Sequence, residues 1–205
     1  RGAFVDYVRK ENKKNHITAI ESKKGIFHIK KYENIKYINS RFEEANLNYG
    51  YYDFVYCVHT LEHFTSCKHA LKKIFKSLEF GGKAFIVVPN LNFYSKDDFT
   101  EYFIDTHTYH FTNNVLVRFF NSVGFKIIFK IEKNDLTFYI EKTSDKNFRK
   151  KNKKFLNTKK SFFDNKKSLN IYKKSIKKNR DKLKKFGSKI SKFNNKIVFW
   201  GAGRL

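Results

Sequence analysis

Between residues 53 and 90 the chain follows a strand–helix–strand pattern that few folds accommodate. Phe54 to Val58 (FVYCV) is a short apolar run suited to a buried parallel strand. It ends abruptly in polar residues: His59, Thr60, Glu62 and His63. From Lys68 to Leu78 apolar residues fall at Leu71, Ile74, Phe75 and Leu78, which is helical spacing. Gly81-Gly82 is expected to stop that helix. Ala84 to Val88 is a second apolar run, closed by Pro89, the only proline in the chain. Such a unit crosses over right-handed and leaves its two strands parallel. Ligands of open parallel sheets bind beyond the carboxyl ends of the strands. The functional cleft is therefore expected at Cys57–Glu62 and Pro89–Tyr94.

The flanking segments extend this pattern. Phe4, Val5 and Val8 alternate with Asp6, Arg9, Lys10 and Glu11 as in a helix, and His16 to Ile20 reads as a strand ending in the acid Glu21, with Ser22 beside it. Gly2 lies nineteen residues before Glu21. That spacing matches a mononucleotide-binding half, in which a glycine turn admits a cofactor to a helix start and a later acid binds the ribose hydroxyls. One carboxylate can accept from both vicinal hydroxyls; the alternative is a solvated turn acid. Ile35 to Ile38 is a third strand, leading into Arg41-Phe42-Glu43-Glu44. Thr112 is placed to cap a helix carrying Val115, Leu116, Phe119, Phe120 and Val123, and Gly124 to close it. Phe125–Ile131 and Leu136–Glu141 read as an antiparallel hairpin about Asn134-Asp135.

These pieces together resemble a class I S-adenosylmethionine-dependent methyltransferase over residues 1–141. The resemblance is carried by Asp53 opening a strand, the Leu61-Glu62-His63 triplet after it, the Leu78–Gly82 helix end, the Val88-Pro89-Asn90 strand exit and the terminal hairpin. It implies an α/β, Rossmann-like, doubly wound and mostly parallel sheet with an antiparallel terminal hairpin, followed here by a long helix. It implies S-adenosylmethionine as cofactor. Gly2 looks like the last residue of the family's glycine turn, with Glu21 and Ser22 at the ribose. Phe42 would stack on the adenine and Glu43 reach its amino group, unless Phe42 is core and Glu43 faces solvent. The backbone of Val58 and His59 would meet the methionine part. Related enzymes carry a histidine-containing run in the acceptor pocket, which makes His107, Tyr109 and His110 candidate general bases; capping or packing is the alternative. An acceptor hydroxyl or carbanion must lose a proton as it takes the methyl group, and imidazole is suited to that near neutral pH. His63 reads better as a structural residue. His59, Glu62 and His63 alone are too few to indicate a metal site.

Departures from the pattern shape the rest of the reading. The family's first strand and earlier glycines are missing, and the chain neither starts with nor contains Met. Both point to a piece of a longer protein. Cys57 and Cys67 read as reduced thiols rather than a disulfide framework. No run of eighteen apolar residues occurs, which leaves no candidate membrane span, and the expected location is cytoplasmic. Of the net charge of +25, +19 lies between residues 142 and 196, where 22 Lys or Arg face three Asp. Such a block can bind nucleic acid. Lysine greatly outnumbers arginine, however, so a solvated helix is preferred. Phe162, Leu169, Ile176, Leu183 and Ile190 recur every seven residues, with Tyr172, Phe186 and Phe193 on the alternate seam. Residues 142–194 are thus expected to form a basic amphipathic helix, docked on its own chain or on a second copy. Residues 195–205, ending Gly201-Ala202-Gly203, resemble the start of a second Rossmann-like domain. By analogy with two-part bacterial enzymes, the acceptor is expected to be a small molecule, a sugar or a polysaccharide unit. An NAD(P)-dependent oxidoreductase and a nucleic-acid-binding module are the competing readings.

Overall fold

The computed structural model describes residues 3–22, 35–92 and 106–144, with scattered helical positions between 170 and 188. Gly2, the apolar heptad positions and the terminal Gly-Ala-Gly lie outside the described residues.

Two sheets form the frame. β1 (Ile17–Ile20) pairs in parallel with β2 (Ile35–Ile38). The second sheet has four strands: β3 (Tyr52–Val58), β4 (Leu78–Pro89), β5 (Phe125–Glu132) and β6 (Asp135–Lys142), in spatial order β3-β4-β6-β5. The β3–β4 pairing is parallel; β4–β6 and β6–β5 are antiparallel. Parallel β3 and β4 are joined by helix α2 (Cys67–Ser77), the crossover anticipated from sequence. Helices α1 (Ala3–Glu11) and α3 (Asn113–Val123) complete the described elements.

Strand alternation explains where the core sits. Ala84, Ile86 and Val88 of β4 stand opposite Ile140, Phe138 and Leu136 of β6, and all six are buried. Ala70, Leu71 and Ile74 of α2 and Leu116 and Phe120 of α3 join them in one cluster. Phe120 and Phe138 meet edge-on at 5.0 Å. On the other face, Phe4 of α1 stacks on Tyr56 at 3.8 Å, and Tyr56 in turn stacks on Phe85.

Three local features differ from the sequence reading. First, β3 is not a buried strand: Phe54 and Tyr56 are 45% and 43% exposed. Among the described residues it pairs on one side only, with β4, and β1 pairs only with β2. Among the described residues each of these strands thus has one partner, where a strand in the middle of a parallel sheet has two. Second, α2 ends at Ser77, with Leu78 already extended, before Gly81-Gly82. The glycines instead belong to an irregularity in β4: Tyr52 pairs with Leu78 and Phe54 with Lys83, so residues 79–82 bulge out between them. Gly81 has φ +81°, which glycine adopts without penalty. Third, Thr112 precedes α3 but makes no side-chain cap there; its carbonyl accepts from Val115 and Leu116 instead. Gly124 does close α3, in the left-handed conformation at φ +112°. Strand β6 runs through Lys142, one residue beyond the expected end of the domain. The Lys142 ammonium is buried, donates to the Leu78 carbonyl and lies over the Phe75 and Phe80 rings.

Candidate active site

The carboxyl ends of β1 to β4 supply the candidate residues. At the end of β1, the Glu21 amide donates to the Ile38 carbonyl at 3.1 Å, which fixes Glu21 at the mouth of the β1–β2 pair. Its side chain is exposed, as is that of Ser22, whose hydroxyl lies 3.5 Å from the carboxylate.

Past β2 the chain turns through Phe42 and Glu43. Phe42 is partly buried, stacks against Phe64 at 5.3 Å and lies under the Lys73 ammonium. One Glu43 carboxylate oxygen accepts from the Thr65 amide at 2.9 Å and the Thr65 hydroxyl at 3.1 Å. Burial alone would raise the Glu43 carboxyl. The bonds from its own amide and from Thr65, with the Arg41 charge, outweigh that and hold it below the usual carboxylate range. Both residues thus clip the β2 exit to the turn after β3.

That turn is built by its backbone. β3 ends at Val58, and His59 adopts φ +46°, a left-handed conformation costly for a residue with a Cβ. The His59 amide still donates to the Val87 carbonyl at 2.9 Å, so the turn stays attached to β4. A single 3-10 turn follows, Leu61–His63. Leu61 plugs fully into the core, and Glu62 is carried inward to 1% exposure. Neither Glu62 carboxylate oxygen has a hydrogen-bond partner among the described residues. Burial pushes its carboxyl up, against the opposing pull of its own amide and of His63, His59 and His107.

Three further bonds bring the 106–111 run against this turn. The Tyr109 amide donates to the Glu62 carbonyl at 3.1 Å, and the Tyr109 hydroxyl donates to the Thr65 carbonyl at 3.0 Å. The His63 Nδ1 lies 2.8 Å from the Thr106 carbonyl. Buried Asn90, at the end of β4, pulls in the hairpin: its amide side chain donates to the Lys133 carbonyl at 2.9 Å. This places Asp135 3.6 Å from His59 Nε2. The Leu91 amide meets the Phe111 carbonyl at 2.7 Å.

The structure therefore gathers His59, Glu62, His63, His107, His110 and Asp135 at one end of the sheet. His63 and His107 rings are 4.9 Å apart, and His107 and His110 rings 6.2 Å apart. From sequence, Glu62 is weighed with His59 and His63 but given no site role, and Asp135 enters only as part of the hairpin turn. Glu62 reads there as a polar turn residue, and only the anchoring of Leu61 shows that it faces inward. Tyr109 is committed to two positioning bonds, with its ring stacked on Phe111.

The sequence pattern described as a methyltransferase domain matches residues 1–129. No curated protein sequence matches. Solved structures similar in fold include an S-adenosylmethionine-dependent methyltransferase from Mesorhizobium loti (11% identity, 68% of this chain and 86% of that one, TM-score 0.58). A second is an S-adenosylmethionine-dependent methyltransferase from Aquifex aeolicus (12% identity, 69% and 77%, TM-score 0.55). A third is the Burkholderia thailandensis 1,6-didemethyltoxoflavin-N1-methyltransferase, solved with its substrate and S-adenosylhomocysteine (14% identity, 70% and 67%, TM-score 0.55). At such identities the likeness speaks for the fold, and the domain match carries the family: the chain belongs to the methyltransferase domain family and has the open, Rossmann-like fold of the S-adenosylmethionine-dependent enzymes.

Proposed function

We propose that this protein transfers the methyl group of S-adenosylmethionine to an acceptor hydroxyl on a small molecule or sugar unit. The supporting observation is the set of groups at the carboxyl ends of the parallel strands. An exposed carboxylate, Glu21, stands at β1, an aromatic and an acid, Phe42 and Glu43, at β2, and a polar imidazole-rich pocket at β3 and β4. In this reading Glu21 takes the ribose, the β2 exit lies beside the adenine on one side of it, and the β3–β4 pocket takes the methionine end and the acceptor on the other.

The donor binds with its ribose on Glu21 and Ser22, and its sulfonium near the Val58–His59 backbone. Because a sulfonium is already a strong electrophile, the protein's work is alignment of acceptor oxygen, methyl carbon and sulfur, plus removal of one proton. We assign that proton to His107 or His110, whose segment Tyr109 holds in register through Glu62 and Thr65.

The test is transfer of isotope-labelled methyl from the donor to a panel of acceptors, including nucleotide-linked sugars and small phenols, by the intact protein. A methylated hydroxyl is expected, with kcat down by about 10²–10⁴ when the responsible histidine is replaced by Ala. Transfer only to RNA or to protein side chains would overturn the acceptor reading.

A further inference from the structure

We propose that Glu62, His63 and His107 hold a divalent first-row transition cation, with Zn²⁺ as the type, at the acceptor end of the cleft. One carboxylate oxygen and one nitrogen from each imidazole lie within 4.8 Å of one another. Two independent geometric features point the same way. The first is the His63 tautomer. Its Nδ1 is 2.8 Å from the Thr106 carbonyl, a contact that only an N–H can make. With Nδ1 turned to that carbonyl, Nε2 is the nitrogen that faces the Glu62 carboxylate, 3.8 Å away. Backing of this kind, a carbonyl behind the far nitrogen, orients metal-bound imidazoles. The second is Glu62 itself, a carboxylate 1% exposed with neither oxygen hydrogen-bonded among the described residues. A buried carboxylate without donors is stabilised either by a cation beside it or by taking up a proton, and the imidazoles around Glu62 supply the further ligands a cation needs.

The spacing suits that cation. Ligands at about 2.0–2.2 Å from a metal stand about 3–4 Å from one another. The 3.8 Å between His63 and Glu62 already fits, and the set as a whole, within 4.8 Å, has to draw in by less than about 1 Å on binding. Two imidazoles and a carboxylate favour Zn²⁺ and its neighbours over Mg²⁺ or Ca²⁺, which prefer oxygen ligands throughout. His59 stands at the rim, with its two ring nitrogens 3.7 Å from Glu62 and 3.6 Å from Asp135. Three protein ligands leave at least one position for water or an acceptor oxygen. If the methyl-transfer reading holds, an acceptor hydroxyl bound there is acidified by the metal, and His110 rather than His107 takes the proton.

Cation binding does not depend on that reading, so the two are tested apart. The intact protein, freed of metal with a chelator, is titrated with Co²⁺ and followed by visible absorption. The expected result is one Co²⁺ per chain with d–d bands, displaced by Zn²⁺ but not by millimolar Mg²⁺. The bands should be lost in Glu62→Gln and in His107→Ala, both checked for folding by circular dichroism. No bands at 1 mM Co²⁺ in folded protein would overturn the site and leave a proton between Glu62 and His63. Bands unchanged in both variants would overturn it as well, by placing the metal on other histidines. S-adenosylmethionine titrated separately reports on the methyl-transfer reading alone.

Discussion

The Gly81-Gly82 bulge offers the sharpest check on how the sheet is built, because its two glycines are demanded for different reasons. A methyl group at Gly82 would stand 2.9 Å from the Glu79 carbonyl oxygen, 3.0 Å from that of Tyr52 and 3.2 Å from Leu78 Cδ2. Two of these neighbours are backbone, one on β3 and one on the bulge itself, so neither yields by a rotamer change. Overpacking of this kind costs about 1–3 kcal/mol. Alanine also narrows the unfolded ensemble, which returns about 0.4–1 kcal/mol. Gly82→Ala should therefore lose about 1–2 kcal/mol. Gly81→Ala meets nothing within 4 Å but must hold φ +81°. Its cost is the left-handed penalty of about 1–2 kcal/mol less the same entropy gain, about 0.5–1 kcal/mol net. Urea unfolding followed by circular dichroism measures both, with the slope m expected unchanged. The reasoning is refuted if Gly82→Ala is within about 0.3 kcal/mol of the parent protein, or if Gly81→Ala is clearly the worse of the two.

Two further predictions concern titratable groups. Glu43 is held below its ordinary value of 4.5, so its bonds to Thr65 contribute their full stability above pH 4.5 and lose it as pH falls from there through the lower folded value. The stability gap between the parent and Glu43→Gln, measured by urea melts from pH 7 to pH 3, should shrink towards acid; a gap that is constant or widens there would contradict the Thr65 clip. Burial pushes Cys57 up to about 12, helped by the charges of Glu62 and Cys67, and burial pushes Cys67 up to about 12 as well. Both thiols should react with a disulfide reagent at pH 8 about a thousandfold more slowly than a free thiol, and at the normal rate in denaturant. Rapid labelling of the folded protein would count against this packing.

Much of this fold is legible in the sequence because periodicity reports burial directly. Ile35–Ile38 forms a strand with the expected bounds, and α3 lies between Thr112 and Gly124 because a left-handed residue was needed where Gly124 stands. The hairpin about Asn134 follows from two alternating runs and a polar turn. The failures have physical reasons too. An apolar run such as Phe54–Val58 says that burial would be favourable, not that a neighbouring strand is present to provide it. Paired glycines mark a backbone need, and a helix stop and a β-bulge present the same signal. The site was the least legible part. Glu62 and His107 are 45 residues apart and are brought together by bonds from Tyr109 to the Glu62 and Thr65 carbonyls and from His63 to the Thr106 carbonyl. Bonds to main-chain carbonyls leave no trace in side-chain spacing.

The account stands on methyl-donor binding at the end of β1. The most direct measurement is calorimetric titration of S-adenosylmethionine into the intact protein and its Glu21→Ala variant, with NADH in parallel. The account predicts micromolar binding of the methyl donor, weakened at least tenfold in Glu21→Ala, and no heat with NADH. Binding of NADH alone, or donor binding indifferent to Glu21, would contradict it.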